Sequence, residues 1–360
     1  MTYELAAQNA RVEYRKKSES SIGTANYSGS LSEGGNYSVT IAGKLQASSE
    51  YEYRAAIDIK VNGTYTTIYG DWVSFSTTEA SSDIPTGWLE LPAITGNEDY
   101  VGTLYTTAED AVSGNEEDRN YSFNYSYNYF SSLWVAYPLR SSDISGNAKT
   151  NSWSYFPQSL IPLRYQVDMT GNSYPTMYNA GSYSKGHQVP NADRKSNDIA
   201  NSQTYYVTNQ TPQLDDKFNS SIWSSLETAV RNLTRNTDVV YVVTGAAFKK
   251  TGGNEQINYL TAASSSTNPQ KLPIPNYYWK AVLKVKWDGS SISSASAIGF
   301  WFEHREYNSD TEKYTNFSVS VDQIEEWTGF DLFTNLPGDN LSGIEKAAES
   351  NTNWTTFQNF

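Results

Sequence analysis

The chain has 360 residues, 14% of them aromatic and only 18% charged, and its 39 acidic against 26 basic residues leave a net charge of -13. That length suits two domains, the Tyr-, Ser-, Thr- and Asn-rich composition favours strands over long charged helices, and the acidic balance excludes adhesion to nucleic acid through a broad basic surface. Without cysteine there is no disulfide framework, thiolate metal site or cysteine nucleophile, and no stretch has the length of a membrane span.

The first 80 or so residues alternate in period two: ARVEYRK, NYSVTIAG, YEYRAAIDIKV, TYTTIYG and WVSFSTT, separated by Gly, Ser and Asn clusters. Asn62-Gly63 is a two-residue hairpin signal, since both residue types tolerate positive φ. EASSDIPTG at 79–87 breaks the pattern and reads as a linker. Beyond it, SLWVAYPL (132–139), DVVYVVTGAAF (238–248), YYWKAVLKVKW (277–287) and AIGFWFEH (297–304) predict strands. SSIWSSLETAVRNLTR (220–235) puts Ile222, Leu226, Val230 and Leu233 on one helical face with Asn219 as its N-cap, and SVDQIEEWTG predicts a second capped helix ending at Gly329. The expected organisation is a small all-β unit over 1–79, a linker over 80–90 and an α+β domain over 91–360.

The chemistry concentrates in YSKGHQVPNADR (183–194), which holds His187, one of two histidines. A neutral imidazole accepts a proton near pH 7, Lys185 supplies a cation for phosphate, and Gly186 permits close backbone approach. TNQTPQLDDKFNSSIWSSLE (208–227) then presents Asn209, Gln213 and Asn219, with Glu227 and Arg231 two and three turns along the helix. An amide oxygen plus solvent is an adequate Mg²⁺ site, and no carboxylate cluster or His pair offers a closed cage for zinc. Each residue also has a plain alternative: a solvated loop histidine, an N-cap at Asn219, an i,i+4 surface pair for Glu227 and Arg231, and an Asx-turn at Asn209. His304, with charged flanks, reads as a solvated strand edge. The acidic pairs Glu116-Glu117, Asp215-Asp216 and Glu325-Glu326 have no spacing that makes a catalytic dyad.

Two resemblances add to this. Leu45, Tyr51-x-Tyr53-Arg54, the hairpin, Trp72 and the closing VSFSTTEA make residues 1–79 resemble a fibronectin type III sandwich. Lys185-Gly186-His187, Thr208-Asn209-Gln210-Thr211-Pro212-Gln213, Asn219, Trp223 and Glu227, in that order, resemble the DNA/RNA non-specific endonucleases, the ββα-metal or His-Me finger, endonuclease G-like enzymes. Supporting stretches are RNYS at 119, VVTGAAF, IPNYYWK and VSVDQIEEWTGFDLFTNLP. The resemblance implies a Mg²⁺-dependent (or Mn²⁺-dependent) endonuclease acting on DNA and RNA. In it His187 is the general base, Asn219 the sole protein ligand of the metal, Asn209 an orienting residue, Glu227 the holder of a water in the metal's shell, and Arg231 a phosphate partner. Lys149, Lys185, Arg194 and Arg231 would form a local positive patch against the overall negative charge.

There are departures. The family's Asp-Arg before Gly-His is Ser184-Lys185 here, which replaces a bidentate guanidinium by a point charge. An upstream arginine has no counterpart near TNSW (150–153) beyond Lys149, and the segment from Gln213 to Asn219 is one residue longer than the family pattern. They favour the alternative, a catalytically weak or inactive surface binding or adhesion protein on the same folds. Either the protein is cytoplasmic or a targeting segment precedes residue 1; the Cys-free, Tyr/Asn/Ser/Thr-rich surface resembles that of exported bacterial proteins and favours a secreted or surface-anchored one. The N-terminal sandwich would tether or position, through a ligand the sequence does not name.

Overall fold

The structure is a computed structural model, and it describes residues 7–27, 31, 39, 49–61, 63–76, 88–115, 118–150, 152–168, 173–174, 183–288, 291–336 and 348–360. The expected strand NYSVTIAG (Val39 apart), Leu45, Asn62, the linker 79–87 and Glu116-Glu117 lie outside the described residues. The chain forms two compact units, residues 1–84 with 95–97, and residues 85–94 with 98–360.

The first unit holds strands β1 (Ala7–Lys16), β2 (Gly23–Asn26), β3 (Glu50–Val61), β4 (Thr64–Tyr69) and β5 (Val73–Ser76). They make one antiparallel sheet in the order β2-β1-β3-β4, with β5 also pairing β3. Val61 of β3 pairs with Thr64 of β4, and Gly63 just before β4 takes φ 85°. Arg54 binds Glu13 through Nη2 at 2.7 Å and lies between the rings of Tyr69 and Trp72, 3.8 and 4.5 Å from their centroids.

In the second unit β6 (Tyr100–Tyr105), β7 (Arg119–Ser126), β8 (Ser131–Leu139), β11 (Val240–Ala247), β14 (Tyr277–Asp288), β15 (Ser291–Glu303) and β16 (Ser318–Val319) form an antiparallel sheet in the order β16-β15-β14-β11-β8-β7-β6. The central strands β11 and β8 are buried on both faces, which is why their sequences are continuous apolar runs with no alternation. One face packs Tyr121, Phe123, Tyr137, Val242, Tyr278 and Val282 against Phe218, Ile222, Trp223, Leu226, Val230 and Leu233. The last six come from a π-helical segment, Asp215–Trp223, that runs into helix α3 (Ser224–Leu233). Helices α1 (Ser141–Ile144) and α2 (Asp198–Gln203) precede it.

The other face takes helix α4 (Val321–Thr328), capped at its start by the Ser320 hydroxyl, which accepts from Gln323 N, and stopped by Gly329 at φ 76°. Helix α5 (Trp354–Gln358) packs against β15. Strands β12 (Asn258–Thr261) and β13 (Lys271–Ile274) pair separately.

Strand β9 (Tyr183–His187) pairs antiparallel with β10 (Gln210–Leu214), and β10 leads directly into the π-helical segment. The YSKGH and TNQTPQ stretches therefore become two strands feeding one helix.

Residues 88–90, expected in the linker, belong to the second unit. Leu89 and Glu90 are fully buried, and Glu90 binds Arg119 at 2.7 Å while the Arg119 guanidinium lies 4.0 Å from the Trp88 ring centroid. A polar-flanked TGWLEL stretch conceals that assignment, because its burial depends on Arg119, some thirty residues on.

Candidate active site

Register places Gln210 opposite His187, Thr211 opposite Gly186 and Gln213 opposite Ser184. Gly186 is required by close approach: a Cβ there would sit 2.2 Å from the Gln213 side chain. The His187 ring packs against Trp153 and Tyr205, whose centroids each lie 4.7 Å from it and 5.1 Å from one another, so the three rings form a triangular cluster. Its Nε2 is shielded from solvent and has no hydrogen-bond partner among the described residues. Burial, and then the positive charge of Lys195, pull the His187 pKa down to about 4, so the ring is neutral at pH 7 and able to accept a proton.

Lys185, two residues before it, has its ammonium 5.9 Å from the Trp153 ring centroid, and burial lowers its pKa. Asn209 is fully buried, with its side-chain amide bonded only to backbone: Oδ1 accepts from Val189 N, and Nδ2 donates to the carbonyls of Val189 and Thr204. With the Asn209 carbonyl accepting from Gln188 N, this residue fixes the chain just past His187.

Asn219 is not the N-cap expected of it. It lies inside the π-helical segment, where its carbonyl accepts from Ser224 N five residues on. Its side-chain Nδ2 donates to Ser184 Oγ at 2.8 Å, and Ser184 Oγ donates in turn to the Gln213 carbonyl at 3.4 Å. A hydroxyl that donates to a carbonyl must accept from the amide nitrogen, so the amide has one orientation and Oδ1 faces away from Ser184. That oxygen is a hard donor of the kind Mg²⁺ accepts.

Glu227 and Arg231 are not the surface pair that i,i+4 spacing allows. Arg231 Nη1 donates to Asp193 Oδ1 at 2.6 Å, and the Tyr137 hydroxyl donates to Asp193 Oδ2 at 2.9 Å. Burial raises the Glu227 pKa, and Lys280, Asp193 and Arg231 act on it in that order, the two cations lowering it and Asp193 raising it. Burial lowers the Lys280 pKa while Glu227 raises it.

Two expectations for substrate binding are corrected or left bare. Arg194 faces inward, 4% exposed, and its guanidinium donates to the Asn120 side chain and to the carbonyls of Asp193, Asn120 and Pro138. A side chain with every arm bonded in the interior cannot also grip phosphate. Lys149 is exposed on the loop after α1. His304 is also corrected: its Nε2 accepts from Leu214 N and its Nδ1 bonds the Pro275 carbonyl, both at 2.8 Å, among Phe218, Tyr278 and Tyr183. It anchors the end of β10 where the helical segment begins.

Residues given no role from the sequence are Ser184, Trp153, Tyr205, Asp193, Lys195 and Lys280. Two of them carried a signal, Ser184 as a departure from the family pattern and Trp153 through the TNSW stretch. Among the described residues, the one acidic group close enough to share a cation is Asp322, Glu325 and Glu349, at α4 and the chain's end, away from Asn219.

A family model described as DNA/RNA non-specific endonuclease matches residues 101–339. Relatives include "Nuclease 1, mitochondrial" of Schizosaccharomyces pombe, 29% identical over 52% of this chain and 55% of its own length. "Nuclease" of Nostoc sp. is 28% identical over 64% and 77%, and "Mitochondrial nuclease" of Saccharomyces cerevisiae 26% identical over 57% and 60%. The chain thus spans between about half and three quarters of the length of these relatives.

Proposed function

Because the chain belongs to the DNA/RNA non-specific endonuclease family, we propose that it hydrolyses phosphodiester bonds in both DNA and RNA, with Mg²⁺ as cofactor and Mn²⁺ as a substitute. The observation that carries this reading to the site is His187, uncharged and packed against Trp153 and Tyr205. A neutral ring held in one place is what a general base needs: it takes a proton from water as the water oxygen bonds to phosphorus, and the P–O bond to the departing sugar oxygen breaks. Asn219 Oδ1, turned outward by Ser184, would hold the metal ion. When bound, the ion stabilises the negative charge that grows on the phosphate oxygens.

Asn209 orients the chain at His187, Glu227 holds water near the ion, and Arg231 and Lys185 attract phosphate. Sequence independence follows where the contacts go to phosphate and sugar, leaving base edges unread. The net charge of -13 makes affinity modest and strongly dependent on salt. The first unit we read as a fibronectin III-like sandwich that positions the enzyme; its antiparallel sheet and the Arg54 stack on Tyr69 and Trp72 support that reading. Its Tyr/Asn/Ser-rich surface and lack of cysteine fit an extracytoplasmic setting.

The test is digestion of plasmid DNA and total RNA by the purified chain with Mg²⁺, with EDTA, and with His187→Ala. Mg²⁺-dependent cleavage of both, lost in the variant, is the expected result. A wild type that cuts neither across salt and pH overturns the catalytic reading in favour of a binding protein on the same fold.

A further inference from the structure

Lys280 sits mid-strand on β14, opposite Thr244 of β11, in a stretch whose neighbours are all buried. It is 1% exposed, and its ammonium has no hydrogen-bond partner among the described residues. An unpaired ammonium is among the most costly groups to bury, so its retention calls for a compensating charge. The ammonium lies 5.0 Å from the centroid of the Trp223 ring, and Trp223 is one turn before Glu227 on the same helical face.

Of the cations acting on Glu227, Lys280 is the stronger and Arg231 the weaker. Arg231 is already bonded to Asp193, which the Tyr137 hydroxyl also holds. Among the described residues, the charged groups that act on Glu227 are Lys280 from β14, Asp193 from the turn after His187 and Arg231 from its own helix, and the Tyr137 hydroxyl from β8 is a titratable neighbour. Two carboxylates and two cations balance, and removing Lys280 alone leaves the cluster one negative charge in excess.

We propose that Lys280 is a positioning residue: its buried ammonium is the counter-charge that keeps Glu227 a carboxylate, and so able to accept hydrogen bonds from water, at the pH where the enzyme works. This rests on the role proposed for Glu227. Without Lys280, burial and the Asp193 charge both favour the protonated form, which offers a donor where an acceptor is needed.

The experiment compares Lys280→Met, Lys280→Arg, Glu227→Gln and the Lys280→Met/Glu227→Gln pair by cleavage against pH, by carbon-13 titration of the Glu227 carboxyl, and by thermal melting. Lys280→Met is expected to lower kcat about tenfold with KM little changed, and to move the acid limb of kcat upward by about one pH unit or more. Its Glu227 carboxyl should titrate higher by a similar amount, while Lys280→Arg keeps the wild-type titration. In the Glu227→Gln background, Lys280→Met should cost no further activity and less stability than it does alone.

If the wild type does not cleave, the proposed function fails while the carboxyl titration still decides the role of Lys280. Should Lys280→Met not fold, the double variant should, since it buries no uncompensated charge. A Glu227 titration unmoved by Lys280→Met, additive losses in the pair, or a double variant no more stable than Lys280→Met overturns the assignment.

Discussion

The side-chain amide of Asn219 donates to the Ser184 hydroxyl at 2.8 Å, which ties the helical segment to the strand that carries His187. Ser184 holds the amide by a neutral hydrogen bond. Ser184→Ala removes the partner that sets the direction of Oδ1. A hydrogen bond of this kind contributes about 1 kcal/mol, so metal affinity should fall roughly fivefold. Mn²⁺ titration followed by electron paramagnetic resonance measures it without any substrate, and an unchanged affinity would show that the amide keeps its direction by other means.

The rings of Trp153 and Tyr205 cover part of His187, and burial is the larger cause of its lowered pKa. Trp153→Ala should open the ring to solvent and bring its pKa from about 4 back towards the ordinary 6.5. At pH 6 a sizeable fraction of the base would then be protonated, and cleavage should weaken there more than at pH 8. Proton NMR of the imidazole is the direct check; a resonance that still titrates near 4 removes Trp153 from the argument.

Both histidines carry a folded-state pKa of about 4, below the ordinary 6.5 that applies once the chain unfolds. Between those values the unfolded chain binds more protons than the folded one. Stability is therefore fully present above pH 6.5 and declines as pH falls towards 4, by up to about 1.4 kcal/mol per pH unit for each ring. Melting temperature against pH should slope across that window, and His304→Gln should reduce the slope. A flat curve would mean the rings are more open than their contacts indicate.

Arg194 and Lys149, paired in expectation as phosphate cations, should separate cleanly. Arg194→Lys leaves interior carbonyls without donors and should cost about 2 to 3 kcal/mol of stability, with the salt dependence of cleavage unchanged. Lys149→Ala, at an exposed position, should leave the melting point alone. If it contacts phosphate, the slope of affinity against salt should shrink by about one. Equal melting points for the wild type and Arg194→Lys would contradict the bonding described.

The sequence was informative wherever a local rule decides the outcome. Ile222, Leu226, Val230 and Leu233 share a face because they are three and four residues apart, and all four are buried. Ser320 and Gly329 bound α4 because one hydroxyl and one positive φ suffice. Polar residues whose partners arrive from distant strands stayed hidden: Lys280 looks like a solvated position, Arg194 like a surface cation and His304 like a strand edge. Nothing local distinguishes a lysine over Trp223 from a lysine in water. The same limit applied to Asn219, whose residue type fits an N-cap until Ser184 is brought to it from 35 residues away.

The π-helical segment closes its turns over one residue more than an α-helix does. In an α-helix an added residue turns everything after it by about 100°, which would swing Glu227 and Arg231 off the face that meets Asp193 and Lys280. A turn closed from residue i to i+5, as from Asn219 to Ser224, takes up a residue locally and returns the following helix to phase. The segment thus serves as a length buffer, uncoupling the spacing of the strand pair upstream from the angular alignment of the charge cluster downstream.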